Sequence, residues 1–423
     1  MKKINTSPIS GAQELLPVAQ ATFDKLKLTA SEVFSRHGFI NVETPMIERL
    51  EVLLAKAGGE TEKQIYKVAK TAESTDSADQ ALRFDHTVPL ARYIVEHESD
   101  LPFPFKAAQT GENFRGERAQ KGRFREFYQC DVDIIGRGEL PLFYDYDVIA
   151  TLIDTYRHFG ITVPVVARLN NRKIMSGLIE ALGLSDQSAA IYHIIDRAEK
   201  VAPDDTRAAF SEIGLDERAV AKLLAFIRLH GSREKVVHNL RGLKLDNPTF
   251  NAGVDELEQV MLLLEADGYG ESIEADMLII RGLDYYTGTV FEFILPEHRE
   301  VGSVGGGGRY DNLATYFTEH QFPGVGGSIG LNRLYYVLNE HKLLSEDAKP
   351  PLDMAVIPIT EQELAYAMKV ASDLRASGLS VTIVGGDKKL GDKLKYAAKI
   401  SAKAIVLGES EVASGSYSVR DLT

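Results

Sequence analysis

A chain of 423 residues is long enough for about three domains and a large buried core. Its composition, 44% hydrophobic and 26% charged, is globular and excludes a collagen, a coiled coil or long-range disorder. The net charge of −13 argues against a sequence-independent nucleic-acid coat. Cys130 is the one cysteine, so an intrachain disulfide and a four-cysteine zinc site are excluded, and a reducing compartment is suited.

The opening MKKINTSPIS has two lysines without an apolar stretch behind them, so no signal peptide is expected. No apolar run approaches the ~20 residues of a membrane helix, which leaves the cytoplasm as the expected location. Apolar spacing predicts a helix over residues 18–37, stopped by Gly38. Phe39 to Glu43 reads as a short strand ended by Thr44-Pro45. Residues 81–84 and 105–114 read as strands. HTVPLARYIVEHE between them reads as a helix with Pro89 in its first turn, where a missing N–H costs least. A long hairpin is predicted from Phe105 to Gly136.

From about 170 to 275 the texture changes to helical stripes, as in NNRKIMSGLIEALGL and RAVAKLLAFIRLH, and an all-helical insertion is expected. Strand texture resumes in MLIIRGLDYYTGTVFEFIL and GVGGSIGLNRLYYVL. SEDAKPP is the expected linker. Beyond it, MAVIPI, GLSVTIVGG and KAIVLGE alternate with two helical segments, the signature of a small, largely parallel α/β domain. Residues 350–423 carry nine Lys/Arg and nine Asp/Glu, so the acidity lies before them and this segment can approach a polyanion most easily.

Four places could hold chemistry. The hairpin tip carries Arg115, Arg118, Lys121, Arg123 and Arg125 against one acid, Glu117. It is either a solvated tip or an anion site. The strand after it alternates: Phe124, Tyr128, Cys130, Val132 and Ile134 share one face, while Arg123, Arg125, Phe127, Gln129, Asp131 and Asp133 share the other. That polar face meets either water or a ligand, with arginines placed for phosphate and Gln129 and Asp133 placed for a hydrogen-bonding or cationic group. Cys130 on the apolar face reads as an inert core thiol.

The second place is Arg281-Gly-Leu-Asp-Tyr285-Tyr286-Thr-Gly, either a turn or a wall for a small polar ring. The third, Gly305 to Gly308 before Arg309-Tyr310-Asp311, is a flexible loop or a close backbone approach. The fourth is a small-residue strand opening a helix at GGSIGLNRL. There Arg333 sits in the first turn, where the helix dipole disfavours a cation by a few tenths of a kcal/mol. It is either a surface residue or a polyphosphate ligand. No P-loop and no dinucleotide fingerprint occurs, and the ten histidines form no closely spaced pair, so no protein-built metal site is expected.

Together these segments resemble the class II aminoacyl-tRNA synthetases, and most closely the histidyl-tRNA synthetase family. GFINVETPMIE is similar to motif 1 with its Pro45, NFRGERAQKGRFREFYQCDVDIIG to motif 2, and GGSIGLNRL to motif 3. RGLDYYTGTVFE resembles the segment that marks histidine as the amino acid, and LRFDHTVPLARY and GGGGRYD also fit. The resemblance implies an α/β chain with an α+β core. That is an antiparallel-sheet catalytic domain over 1–345, interrupted by the helical insertion, and an α/β anticodon-binding domain over 352–423. It implies activation of histidine with ATP and Mg²⁺ and transfer to the 3′ end of histidine tRNA, by a homodimer joined through motif 1.

By the same resemblance Arg115 holds the ATP α-phosphate and the histidine carboxylate, and Arg281 assists at the α-phosphate. Arg123 and Arg333 take the outer phosphates and Glu117 the adenine side. Asp85, Thr87 and Gln129 take the substrate amino group, and Asp133, Tyr285, Tyr286 and Tyr310 the imidazole. Two departures stand out: Asp85 is where a longer Glu is common, and Asn332 is where Glu or Asp is usual. The chain also ends at RDLT, before a last strand and helix often seen in such C-terminal domains. Two other readings are a synthetase-like regulatory subunit of ATP phosphoribosyltransferase and a non-catalytic nucleic-acid-binding module. RGLDYYTG and the segment after the linker weigh against the first. The acidic chain, without aromatics in its hairpin tip for base stacking, weighs against the second.

Overall fold

The computed structural model describes residues 4–55, 62–72, 74–280, 286–345 and 350–422. Most of the linker SEDAKPP lies outside them. Residues 4–13 with 27–345 form one compact unit, and 14–26 with 350–422 form a second.

The strands in chain order are β1 (Ile40–Asn41), β2 (Ile47–Arg49), β3 (Lys67–Val68), β4 (Gln80–Leu82), β5 (Phe105–Phe114), β6 (Glu126–Ile135), β7 (Val166–Asn171), β8 (His230–Gly231), β9 (Ile273–Asp276), β10 (Thr289–Ile294), β11 (Gly305–Tyr310) and β12 (Gly324–Gly330). Nine of them make one sheet in the order β1-β5-β6-β12-β11-β10-β7-β9-β8. It is antiparallel except where β1 meets β5 and β7 meets β9. β2, β4 and β3 form a small second sheet. The boundary between the units falls within α1 (Pro17–Arg36), whose residues 27–36 belong to this one, and its other helices include α2 (Leu50–Leu54), α3 (Thr87–Glu96) and α4 (Phe143–His158).

Residues directly opposite in an antiparallel ladder share a face. Asp133 on β6 therefore lines up with Gly326 on β12, Gly308 on β11 and Val290 on β10. The next row is Gln109, Asp131, Ser328, Gly306 and Glu292. The opposite face carries Val132, Gly327, Gly307 and Phe291, and Leu152 of α4 packs on it. Cys130, Val132, Ile134, Leu152 and Phe291 are all buried there, each such side chain contributing roughly 1.5–3 kcal/mol. The apolar half of the β6 alternation is thus core. On its polar half Asp131 and Asp133 are buried, at 4% and 3% exposed, while Phe127 and Gln129 are half-buried.

The glycine run is a strand and not a loop. The sheet needs its flatness: a Cβ on Gly307 would lie 2.1 Å from the Gly326 carbonyl oxygen and 2.6 Å from the Phe291 ring. The inserted block holds six helices: α5 (Arg172–Ala181), α6 (Ser188–Ala198), α7 (Pro203–Glu212), α8 (Glu217–Phe226), α9 (Arg233–Gly242) and α10 (Pro248–Ala266). It is not all helix, because β8 and β9 extend the main sheet from within it. Both are too short for periodicity to reveal. The motif 3 segment forms β12 running into α11 (Leu331–Glu340), with Leu334, Val337 and Leu338 fully buried.

The second unit has β13 (Leu352–Pro358), β14 (Val381–Ile383), β15 (Ser401–Leu407) and β16 (Val419–Asp421) in the order β14-β13-β15-β16. The first three are parallel and β16 is antiparallel. Helices α12 (Leu364–Ala376) and α13 (Leu390–Ile400) connect the parallel strands, and α14 (Glu409–Ser414) follows. The β-branched, apolar sequences of β13 and β15 suit strands buried on both faces, where Ala355, Val356, Ile357, Ala404 and Ile405 are fully inaccessible.

Candidate active site

A cavity of about 290 Å³ lies on the polar face of the main sheet. Ten of the twelve residues singled out above line it: Asp85, Thr87, Arg115, Glu117 and Arg123, then Gln129, Asp133, Tyr286, Tyr310 and Arg333. Arg281 and Tyr285 lie outside the described residues. Segments far apart in sequence therefore converge because β6, β11 and β12 are neighbours and α3 and α11 begin beside them.

The outer part is cationic. Arg115 follows β5, and its guanidinium is stacked between the rings of Phe84 (4.4 Å) and Phe127 (5.1 Å) while Nε donates to the Phe84 carbonyl. The hairpin tip closes as a tight turn, with Gln120 and Arg123 exchanging backbone hydrogen bonds around Gly122 at φ +70°. Arg333 donates Nε to the Gly122 carbonyl (3.2 Å) and Nη1 to the Ser303 carbonyl (2.8 Å). Those two carbonyls offset the unfavourable helix-start position. Burial, then Arg123, lowers the Arg333 guanidinium from its ordinary range, as expected where positive charge is crowded. Arg123 pairs with Glu117 at 3.5 Å. Of the other tip cations, Arg125 donates to the Glu117 and Ser10 carbonyls and ties down the N-terminal segment, and Arg118 and Lys121 are exposed.

The inner part is acidic. Tyr310 donates to Asp133 Oδ1 at 2.6 Å with both groups buried. Burial raises the Asp133 carboxyl to about 8, opposed by that hydrogen bond and reinforced by Asp131 and Asp85. Burial also raises Asp85, which accepts the Val88 N–H at the start of α3. Glycines give these side chains room. A Cβ on Gly326 would stand 2.0 Å from Asp133 Oδ1, and one on Gly324 2.3 Å from the Tyr310 ring. Gln129 bridges Asn113 and Ser328.

Sequence reasoning assigned no role to Asp131, His86, Ser328 or Glu292. Asp131 was within reach, being two residues from Asp133 on the same face. His86, at the start of α3, shares a 2.8 Å hydrogen bond with Asp131 and is 1% exposed. Ser328 and Glu292 enter only through ladder register. Asn332, the departure from the expected acid, accepts the Tyr128 N–H (2.7 Å) and donates to Gln13 (3.1 Å). The amide serves both bonds, its oxygen accepting and its NH2 donating. Arg309 belongs to the framework: it pairs with buried Asp145 and caps two carbonyls of residues 140 and 141.

Cations along one half and buried acids along the other fit a ligand with an anionic end and a polar, partly cationic end. A family model described as Histidyl-tRNA synthetase matches residues 11–334, and one described as Anticodon binding domain matches 353–423. The Histidine--tRNA ligase of Clostridium tetani is 41% identical over 426 residues, covering 100% of this chain and 95% of that protein. The crystal structure of histidyl-tRNA synthetase from Nostoc sp. matches with a TM-score of 0.89 and 35% identity, over 99% of this chain and 95% of that one. A Bacillus halodurans structure titled ATP phosphoribosyltransferase regulatory subunit/histidyl-tRNA synthetase matches with a TM-score of 0.77 at 21% identity, over 93% and 97% of the two chains, and shares the fold alone. On the residues, the sheet and these matches, the chain belongs to the histidyl-tRNA synthetase family.

Proposed function

We propose that this cavity joins histidine to ATP and then passes the histidyl group to tRNA. Family membership makes the chain an ATP-dependent histidine–tRNA ligase, and the regulatory-subunit reading is not favoured beside a relative that is 41% identical over the full length. The observation that carries the residue assignments is the pairing of a guanidinium set with a buried carboxylate set along one sheet face.

In the first step a histidine carboxylate oxygen attacks the α-phosphorus and the bond to the leaving pyrophosphate breaks, with the electron pair leaving on its oxygen. Arg115, already fixed by two rings and a carbonyl, faces the charge that builds on the α-phosphate without having to move. Arg281 is assigned the same centre. Arg123 and Arg333 take the outer phosphates and Glu117 the adenine side. Asp85, Thr87 and Gln129 take the α-amino group. An imidazole has one N–H donor and one lone pair, and Asp133 with Tyr310 offers both an acceptor and a donor; Tyr286 and Tyr285 are assigned to the same ring. Mg²⁺ would come with the ATP, on its phosphates. In the second step a terminal ribose hydroxyl of histidine tRNA attacks the histidyl carbonyl and AMP leaves.

Residues 1–345 are assigned the catalysis and 352–423 the reading of tRNA. A homodimer through residues 38–48 is supported by Ile40, Met46 and Ile47, which are 54%, 44% and 47% exposed beside an edge strand. No helix among the described residues is long and apolar enough to cross a membrane, and cytoplasmic placement is proposed. Pyrophosphate exchange into ATP, measured without tRNA and with each amino acid in turn, tests the reading. Histidine should support exchange; exchange with another amino acid and not with histidine would overturn it.

A further inference from the structure

On the surface of the first unit, His298, Glu300 and His341 bring their potential ligand atoms within 4.8 Å of one another. His298 and Glu300 lie in the turn Pro296–Val301 after β10, and His341 directly follows α11. Forty-three positions separate the two histidines, so spacing rules applied to the sequence cannot pair them. The backbone at His298 departs from the turn around it, with φ −132° and ψ 46°. That departure accompanies a close imidazole pair, with ring centroids 4.2 Å apart and planes at 40°. His298 Nδ1 and Glu300 Oε1 are 3.6 Å apart, close yet beyond a normal hydrogen bond. The His298 side chain is 17% exposed and Glu300 is 66% exposed, so one donor is anchored while the carboxylate can swing.

We propose that His298, His341 and Glu300 bind a divalent transition-metal ion, and that the ion clamps the 296–303 segment to the end of α11. Two imidazoles and one carboxylate are donors that favour Zn²⁺, Ni²⁺, Co²⁺ or Cu²⁺ over Mg²⁺ or Ca²⁺. Metal–nitrogen bonds of about 2.0–2.1 Å require the donors to draw together by about an ångström or more. An exposed glutamate and a histidine beyond a helix end can supply that movement. The segment already meets the start of α11 where the Ser303 carbonyl receives Arg333. The helix runs ten residues, about 15 Å, to His341. An ion there adds a second tie at the far end of the same helix and steadies the carbonyl that aims Arg333 into the cavity.

The full-length chain, stripped with chelator and kept free of histidine, which itself binds metals, is titrated with Co²⁺ by visible absorption and with Zn²⁺ by calorimetry. One saturable site per chain is expected. His341→Ala should weaken it roughly 10-fold or more, because losing a ligand costs at least as much as losing an outer-shell partner. His298→Ala should do the same, and His341, exposed past the helix, serves as the test should His298→Ala fold poorly. Zn²⁺ should slow amide exchange over 298–303 in the parent protein and not in His341→Ala. Absence of saturable binding, or equal binding by His341→Ala, overturns the site; binding without slowed exchange overturns the clamp.

Discussion

At the outer end of the cavity three guanidinium groups remain partly exposed, each steadied by a neutral neighbour or an acid: aromatic rings for Arg115, backbone carbonyls for Arg333, Glu117 for Arg123. At the inner end Asp85, Asp131 and Asp133 are buried, and burial pushes two of them, Asp85 and Asp133, toward the neutral form. In the proposed assignment the outer end takes the triphosphate at groups that are already charged. The inner end holds carboxyl groups whose ionisation is disfavoured until a hydrogen-bonding or cationic ligand arrives. On that proposal charge at the outer end serves rate, through groups that need not reorganise, and burial at the inner end serves selection.

The largest effects should come from the outer end. Arg115→Ala should lower the single-turnover rate of adenylate formation by about 10²–10³-fold, the scale of losing one preorganised donor at a developing charge. Arg281→Ala should also cost orders of magnitude in that rate, at ~1.4 kcal/mol per tenfold. Histidine and ATP binding, and transfer from a preformed adenylate, should change much less. Near-normal chemistry with a lowered melting temperature would instead make Arg281 a framework residue paired with an acid such as Asp284.

Ending the chain near Pro350 should spare most adenylation while weakening the charging of histidine tRNA. Gel filtration must first show an unchanged oligomeric state. Full charging by the shortened chain would give the second unit some other role.

The inner end has a pH signature. The Asp133 carboxyl sits at about 8 when folded against an ordinary 3.8, so between those values the native state binds more protons than the unfolded chain. Stability of the ligand-free protein should therefore fall as pH rises from about 4 to about 8. Asp133→Asn should flatten that part of the profile, as read by melting temperature across the range. The smallest effect belongs to Cys130, whose buried thiol is pushed up to about 12 and faces the core side of the sheet. Thiol-blocking reagents should leave native-state exchange activity unchanged.

Much of this was legible because it rests on local pattern. The 105–114 strand, the helix behind Gly38 and the parallel C-terminal unit follow from alternation, caps and β-branched runs. The ten cavity residues were reachable through motif resemblance, and Gln129 and Asp133 also through the two-residue period of β6. What escaped depends on register between strands. The glycine run looks like a loop until β10 and β12 flank it, and Glu292 and Ser328 become neighbours only in the assembled ladder. His86 gave no signal because its role is to back Asp131, 45 residues away.

The division between the two ends is tested most directly by steady-state pyrophosphate exchange of Asp133→Asn, with histidine and ATP varied separately. The account predicts that the KM for histidine rises about tenfold or more, the cost of a mispaired buried polar contact, while the KM for ATP is unchanged. An unchanged KM for histidine, or equal rises for both substrates, would contradict it.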